Sequence, residues 1–403
     1  MSDSKHNHAI GERSAGLLDI EGKIIRDSVH ARLFGGEPEP HRIGGHEVKQ
    51  RLGTGGMGEV YLAHNKKLGR DEAIKVLRTG DTRDSRAQKR LLSEAQALAR
   101  LSHPNVVQVH GSDVTEDGGV YIVMEFIEGP TLEQWQRAKP RTWRELLAVY
   151  SAAGRGLAAA HRAGLVHRDF KPSNVLLGKD DGPSARLVKV IDFGLAIDDF
   201  DAPARGAVGA GTSLRRSTAL IGTPFYLSPE QCDGDRSTLT PKSDQFSFCV
   251  ALYEALYDQH PFFAPDRVID HSRRTTEGPA ASPPQPATNP SRITALIHAI
   301  RELPLREPPP QSTAPRRIFR ILKRGLERKP ADRYDSMDDL LKLLEREQRP
   351  AYLRGLAFAG LTGVVLGSTA IYTLANPGPE ICKDVARDIG EIWNDERAAA
   401  LES

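Results

Sequence analysis

Cysteine is scarce in this chain: Cys232, Cys249 and Cys382 are the three it has in 403 residues. They are too far apart for a zinc clip and too few for a disulfide framework, so stapled mini-domains are excluded. A reducing compartment suits the first two. Net charge is nearly absent as well. The 55 lysines and arginines almost balance the 53 aspartates and glutamates. That balance gives no support for a nucleic-acid partner, which needs a net basic field or a concentrated stripe. The N-terminus lacks an apolar run, so no signal peptide is expected. No internal repeat is visible. The length accommodates one large domain with additions.

One long uncharged run breaks the soluble pattern. Gly355 to Ala375 carries no charged residue, and as a helix it would be about 31 Å long, matching a hydrocarbon core of roughly 30 Å. A buried core helix normally keeps a polar face, and this run has none, so it reads as a transmembrane helix. Arg346, Arg349 and Arg354 precede it, and the next cation after it is Lys383. The positive-inside bias therefore keeps the long N-terminal part in the cytoplasm and sends residues 376–403 outside as a short extracytoplasmic tail.

Residues 1–42 are polar and aperiodic, a disordered lead-in with at most a short helix near Leu17 to Ile25. Alternating runs predict strands at His46–Leu52, Glu59–Ala63, Glu72–Leu77, Val106–His110 and Val120–Phe126. Leu91, Leu92, Ala95, Leu98 and Ala99 predict a helix over Arg86–Leu101. Further helices are expected at Arg144–His161, Thr240–Tyr257, Arg316–Glu327 and Ser336–Glu345. Proline is dense over 264–315, which reads as a surface insertion apart from a periodic stretch at Arg292–Arg301.

The chemistry lies in two short stretches, His167-Arg168-Asp169-Phe170-Lys171-Pro172-Ser173-Asn174 and Asp192-Phe193-Gly194. A carboxylate such as Asp169 can take a proton from a hydroxyl. Asn174 and Asp192 offer the hard oxygens that Mg2+ prefers, as phosphoryl transfer requires. Upstream, Gly53, Gly55, Gly56 and Gly58 lead into a strand, whereas a dinucleotide-binding turn would open a helix. A hairpin tipped by glycines can lay its backbone over phosphates because no side chain holds it off. Lys75 follows two apolar residues within a strand. Downstream stands Gly222-Thr223-Pro224-Phe225-Tyr226-Leu227-Ser228-Pro229-Glu230.

Taken in this order, the motifs resemble the eukaryotic-type (Hanks-type) protein kinases, in their bacterial serine/threonine branch, over residues 43–346. The resemblance implies an α+β bilobal fold: a small β-rich N-lobe with one main helix at 43–126 and a larger helical C-lobe at 128–346. It implies ATP with Mg2+ (Mn2+ as a substitute) and protein substrates with serine or threonine acceptors. By the same resemblance Lys75 binds the α- and β-phosphates and pairs with Glu94 on the following helix. Met124, Glu125 and Ile127 form the hinge that meets adenine. Val60, Ala73 and Leu176 sandwich the ring, though as apolar residues they equally suit plain core. Asp169 is the catalytic carboxylate, Lys171 neutralises the transferring phosphoryl, and Asn174 and Asp192 hold metal. Asp244 pins the catalytic loop, Glu230 pairs with Arg333, and His167, Phe193 and Leu98 stack into a column joining the lobes.

Arg168 marks kinases whose activation segment is ordered by phosphate. Candidate acceptors are Thr212, Ser213, Ser217 and Thr218, of which the resemblance favours Ser217 or Thr218, and Thr223 matches the family threonine that contacts Asp169 and Lys171. Phe170, Glu72 and Ser228 depart from the family pattern without touching a catalytic atom. The intact set counts against a pseudokinase scaffold, and Lys171 with the Gly222 to Glu230 segment counts against a small-molecule phosphotransferase. The expected location is a bacterial inner membrane, single-pass, where Ala359, Gly363 and Gly367 recur every four residues and permit a homodimer.

Overall fold

The computed structural model describes residues 33, 41–55, 58–77, 85–115, 119–179, 187–193, 224–233, 238–263 and 290–348. The membrane run at 355–375, the tail 376–403, most of the lead-in and the 264–289 part of the Pro-rich stretch lie outside these residues. Among the described residues no helix is long and apolar enough to cross a membrane.

The N-lobe is an antiparallel six-stranded sheet in the order β1-β2-β3-β4-β6-β5. Its strands are β1 (Arg42–Ile43), β2 (His46–Gly55), β3 (Gly58–Asn65), β4 (Arg70–Leu77), β5 (Val109–Val114) and β6 (Val120–Glu125). The helix α1 (Ser85–Ala99) packs on β5 and β6, burying Leu91, Ala95 and Leu98 at the spacing that predicted it. The fourth expected strand starts three residues late. Val107 N–H instead donates to Val190 O at 2.9 Å, which ties Val106 and Val107 to the C-lobe.

The C-lobe carries α2 (Leu132–Ala138), α3 (Trp143–Arg162), β7 (Val175–Leu177), β8 (Val188–Val190), α4 (Pro229–Cys232), α5 (Pro241–Tyr257), α6 (Pro290–Glu302), α7 (Arg316–Gly325) and α8 (Met337–Gln348). Capping boxes start α2 and α3: Thr131 with Gln134, and Thr142 with Glu145. Helix α5 is buried on all sides over Ser243–Tyr253 and forms the lobe's axis, with α3 and α7 packed against it. Arg333, with no exposed surface, donates to both carboxylate oxygens of Glu230 at 2.8 and 2.9 Å. Burial alone would push the Glu230 carboxyl up, but the guanidinium outweighs it and holds the group below the ordinary glutamate range.

The periodic stretch excepted from the surface insertion forms α6, and residues 302–315 beyond it keep part or all of their surface. Leu296, Ala299 and Ile300 of α6 are buried. Beyond α6 the chain is tied down by Arg306 N–H to Pro261 O at 2.8 Å and by Tyr253 Oη to Arg306 O at 2.8 Å.

Candidate active site

Strands β2 and β3 form the glycine-tipped hairpin, with Gly53 opposite Val60 and Gly55 opposite Gly58. A Cβ on Gly53 or Gly55 would meet no atom within 4 Å, so the hairpin presents bare backbone to open space. A Cβ on Gly58 would lie 2.0 Å from Val76 O at φ +150°, so close packing on β4 requires glycine there. Gly56 lies outside the described residues. Ala73 sits opposite Met124 in the β4–β6 pairing. Ala73, Met124 and Ile127 are buried, while Val60 and Leu176 pack on the same core and keep part of their surface.

Lys75, 3% exposed, places its Nζ 2.9 Å from Asp192 Oδ1. A buried ammonium requires a carboxylate, and Asp192 supplies one, while the expected partner Glu94 lies half-exposed on α1. Asp192 adopts φ +61°, a left-handed conformation that costs a non-glycine residue energy and is held by its surroundings.

The catalytic loop collects its groups within one hydrogen-bond shell. Asp169 Oδ2 accepts from Lys171 Nζ at 2.7 Å and from Asn174 Nδ2 at 3.2 Å, and Asn174 Nδ2 also donates to Asp169 O at 2.8 Å. The Asn174 carbonyl oxygen is thereby left as its ligating atom. Behind the loop, Asp244 Oδ2 accepts from His167 N–H at 2.7 Å, and Oδ1 accepts from Arg168 N–H at 2.8 Å. His167 Nε2 donates to Ile191 O at 2.9 Å, and its ring lies 4.7 Å from that of Phe193. Arg168 itself has φ +66° and an exposed side chain.

Thr212, Ser213, Ser217, Thr218 and Thr223 lie outside the described residues. Among the other sequence-predicted residues, Lys75 and Asp192 form an ion pair across the lobes, and Asp169, Lys171 and Asn174 are bonded to one another in the loop. The hard oxygens of Asn174 and Asp192, with the bare hairpin, fit a Mg2+-bound nucleotide. Among the described residues no tight His/Cys/Asp/Glu metal cluster occurs. A site of one amide and one carboxylate is sparse, as expected where phosphates complete a magnesium shell.

Several contributors were missed. Lys189 Nζ, on buried β8, donates to Glu125 Oε1 at 2.6 Å and to Val106 O at 3.1 Å, and Glu125 Oε1 also accepts from Gln108 N–H at 2.6 Å. This partly buried pair ties the Glu125 side chain to the C-lobe. The visible signal was a lysine between two valines in a strand. Gln231 Nε2 donates to Arg168 O at 2.6 Å.

His260 braces the segment after Thr223. Its Nε2 donates to Phe225 O at 2.9 Å, and its Nδ1 accepts from Phe262 and Phe263 N–H at 3.2 and 3.1 Å. Burial pushes the imidazole down to about 4. With the folded value depressed, the unfolded chain binds the proton first as pH falls. Stability is therefore complete above about 6.5 and declines toward 4, by about 3 kcal/mol at most. Urea midpoints measured against pH should flatten over that window in His260→Gln. An unchanged slope would mean that other groups carry it.

Residues 46–342 match the protein kinase domain family, and the chain belongs to it. It is 38% identical over 259 residues to the probable serine/threonine-protein kinase SCO3848 of Streptomyces coelicolor, covering 61% of this chain and 36% of the relative. Against serine/threonine-protein kinase PknB of Mycobacterium tuberculosis it is 38% identical over 221 residues, 54% of this chain and 33% of that one. Against pkn3 of Myxococcus xanthus it is 32% identical, covering 75% and 50%. The chain thus spans between a third and a half of these relatives' lengths. Among solved structures, a double mutant of the Mycobacterium tuberculosis PknI kinase domain aligns with a TM-score of 0.51 at 23% identity, covering 78% of this chain and all of that one. This likeness establishes the bilobal fold.

Proposed function

We propose that the chain is an ATP-dependent serine/threonine protein kinase that transfers the γ-phosphoryl group to protein hydroxyls. The carrying observation is Asp169, its carboxylate 2.7 Å from Lys171 Nζ and tied to Asn174, together with the ion pair of Lys75 and Asp192 across the lobes. The kinase names of the bacterial relatives support the same reading.

Asp169 orients the acceptor hydroxyl and takes its proton as the oxygen–phosphorus bond forms and the β–γ bridging bond breaks, releasing ADP. Lys171 supplies positive charge to the phosphoryl in flight. Lys75 holds the α- and β-phosphates, and the hinge at Met124, Glu125 and Ile127 receives the adenine. Asn174 and Asp192 would hold Mg2+, which when bound supplies counter-charge to the phosphate oxygens.

Arg168 binds the phosphate carried on Ser217 or Thr218 after autophosphorylation, ordering the activation segment. The run 355–375 anchors the chain in a bacterial inner membrane with the kinase domain cytoplasmic, and its glycine spacing suits a homodimer that phosphorylates in trans.

The full chain, incubated with labelled ATP and Mg2+ and then hydrolysed, should yield phosphoserine and phosphothreonine, with label mapping to the activation segment. Absence of protein-bound label, or label in phosphotyrosine alone, would overturn the reading.

A further inference from the structure

The near-neutral whole-chain charge conceals one concentrated stripe. Residues 316–329 hold seven arginines and lysines against the single acid Glu327, while the entire chain carries a net +2. Helix α7 sorts them by face. Ile318, Phe319, Leu322 and Gly325 are buried, while Arg316, Arg317, Arg320, Lys323 and Arg324 are exposed. At 3.6 residues per turn these five cations share one arc opposite the buried stripe. Arg324 lies over the Tyr334 ring, 4.6 Å from its centroid. Among the described residues the others make no ion pair, although acids are as common in this chain as bases. A face that has shed its acids repels itself and calls for an outside counter-charge.

The position of the face says which one. Phe319, early in α7, lies 6.4 and 6.5 Å from the rings of Tyr253 and Tyr257, at the C-terminal end of α5. Helix α8 packs on α7 and on α3. Gln348 Nε2 donates to Leu147 O and Ser151 Oγ at 2.8 and 2.7 Å, and Tyr150 Oη, between them on α3, donates to Ala251 O of α5 at 3.0 Å. Where α8 leaves the domain, six residues lead to the uncharged run at Gly355, a reach of at most about 25 Å from Gln348. The helix that bears the basic face thus packs directly on the helix from which the chain leaves the domain.

We infer that the exposed face of α7 docks the catalytic domain onto anionic lipid headgroups of the bilayer that holds its own anchor. The inference rests on the proposed span for proximity and on the described helix for the contact. Phosphate oxygens offer what the guanidinium forks bind. Each basic group near a charged leaflet adds to the attraction, which fades within a Debye length and so depends on salt.

The test uses the full chain in nanodiscs of phosphatidylcholine, with and without phosphatidylglycerol. Arginine modification by phenylglyoxal and lysine acylation are read peptide by peptide. Arg316, Arg317, Arg320 and Lys323 should react several-fold more slowly in the anionic discs, and high salt should erase the difference. Replacing the three arginines with glutamine should shift the docking equilibrium by roughly a hundredfold, leaving Lys323 equally reactive in both discs with an unchanged melting temperature. Equal reactivity of the unaltered chain in both discs would refute docking. So would protection conferred by duplex RNA and not by anionic lipid. Alkaline carbonate extraction reads the span separately: a chain that is protected by anionic discs yet extractable keeps the docking face and loses the anchor.

Discussion

Asp169→Asn should lower the phosphoryl-transfer rate by about a thousandfold, within the 10²–10⁴ range for a positioned acid–base group, while leaving the fold and nucleotide affinity intact. The substitution keeps an oxygen that Lys171 Nζ can reach at 2.7 Å, and the Asn174 bond to the Asp169 main-chain carbonyl at 2.8 Å does not involve the side chain. The loop therefore keeps its shape. What is lost is the lone pair that accepts the hydroxyl proton, because an amide is not basic at neutral pH. Lys75 and Asp192, the candidates for holding phosphate and metal, are untouched and remain paired. Single-turnover kinetics, nucleotide titration and a melting curve together separate the effects: rate falls, the other two hold. A variant retaining a tenth of the activity or more would remove Asp169 from the proton-transfer role. A large drop in melting temperature would make it a structural residue.

How much of this was legible depends on how locally each feature is encoded. Asp169, Lys171 and Asn174 lie within six residues, so their mutual bonds are written in the chain itself. Asp244 and the Glu230–Arg333 pair are distant in sequence. They were readable because the resemblance supplied the fold that joins them, and the described bonds agree. The Asp192 contact of Lys75 was not foreseen, because a carboxylate 117 positions away carries no local signal that it will reach the strand lysine. The Lys189–Glu125 pair spans 64 residues and carries no motif. Helix α2, with seven residues, is too short to show a period, although its Thr131/Gln134 capping box was there to be read. The basic face of α7 was visible as a charge run but vanished in the whole-chain sum. A neutral total says nothing about segregation.

The second large effect is expected at a residue that never touches substrate. Asp244, 1% exposed, takes three hydrogen bonds: His161 Nε2 at 2.7 Å, His167 N–H at 2.7 Å and Arg168 N–H at 2.8 Å. Alanine there would strand two backbone donors and an imidazole, each costing about 1–3 kcal/mol if buried and unmet, so the domain should lose on the order of 5 kcal/mol. Catalysis should suffer in parallel. Arg168 holds φ +66°, a strained state that persists while its surroundings enforce it. Without the Asp244 clamp the backbone relaxes and moves Asp169, the next residue. A displacement of about 1 Å at the reacting groups is worth roughly a hundredfold in rate. Asp244→Asn retains one acceptor oxygen and turns a second donor toward the donors already there, so it should fall between wild type and alanine on both scales. This joint loss distinguishes a positioning residue from Asp169, whose replacement affects rate alone. Should Asp244→Ala melt like the parent, or melt lower yet turn over at full speed, the brace would not be what sets the geometry of the catalytic loop.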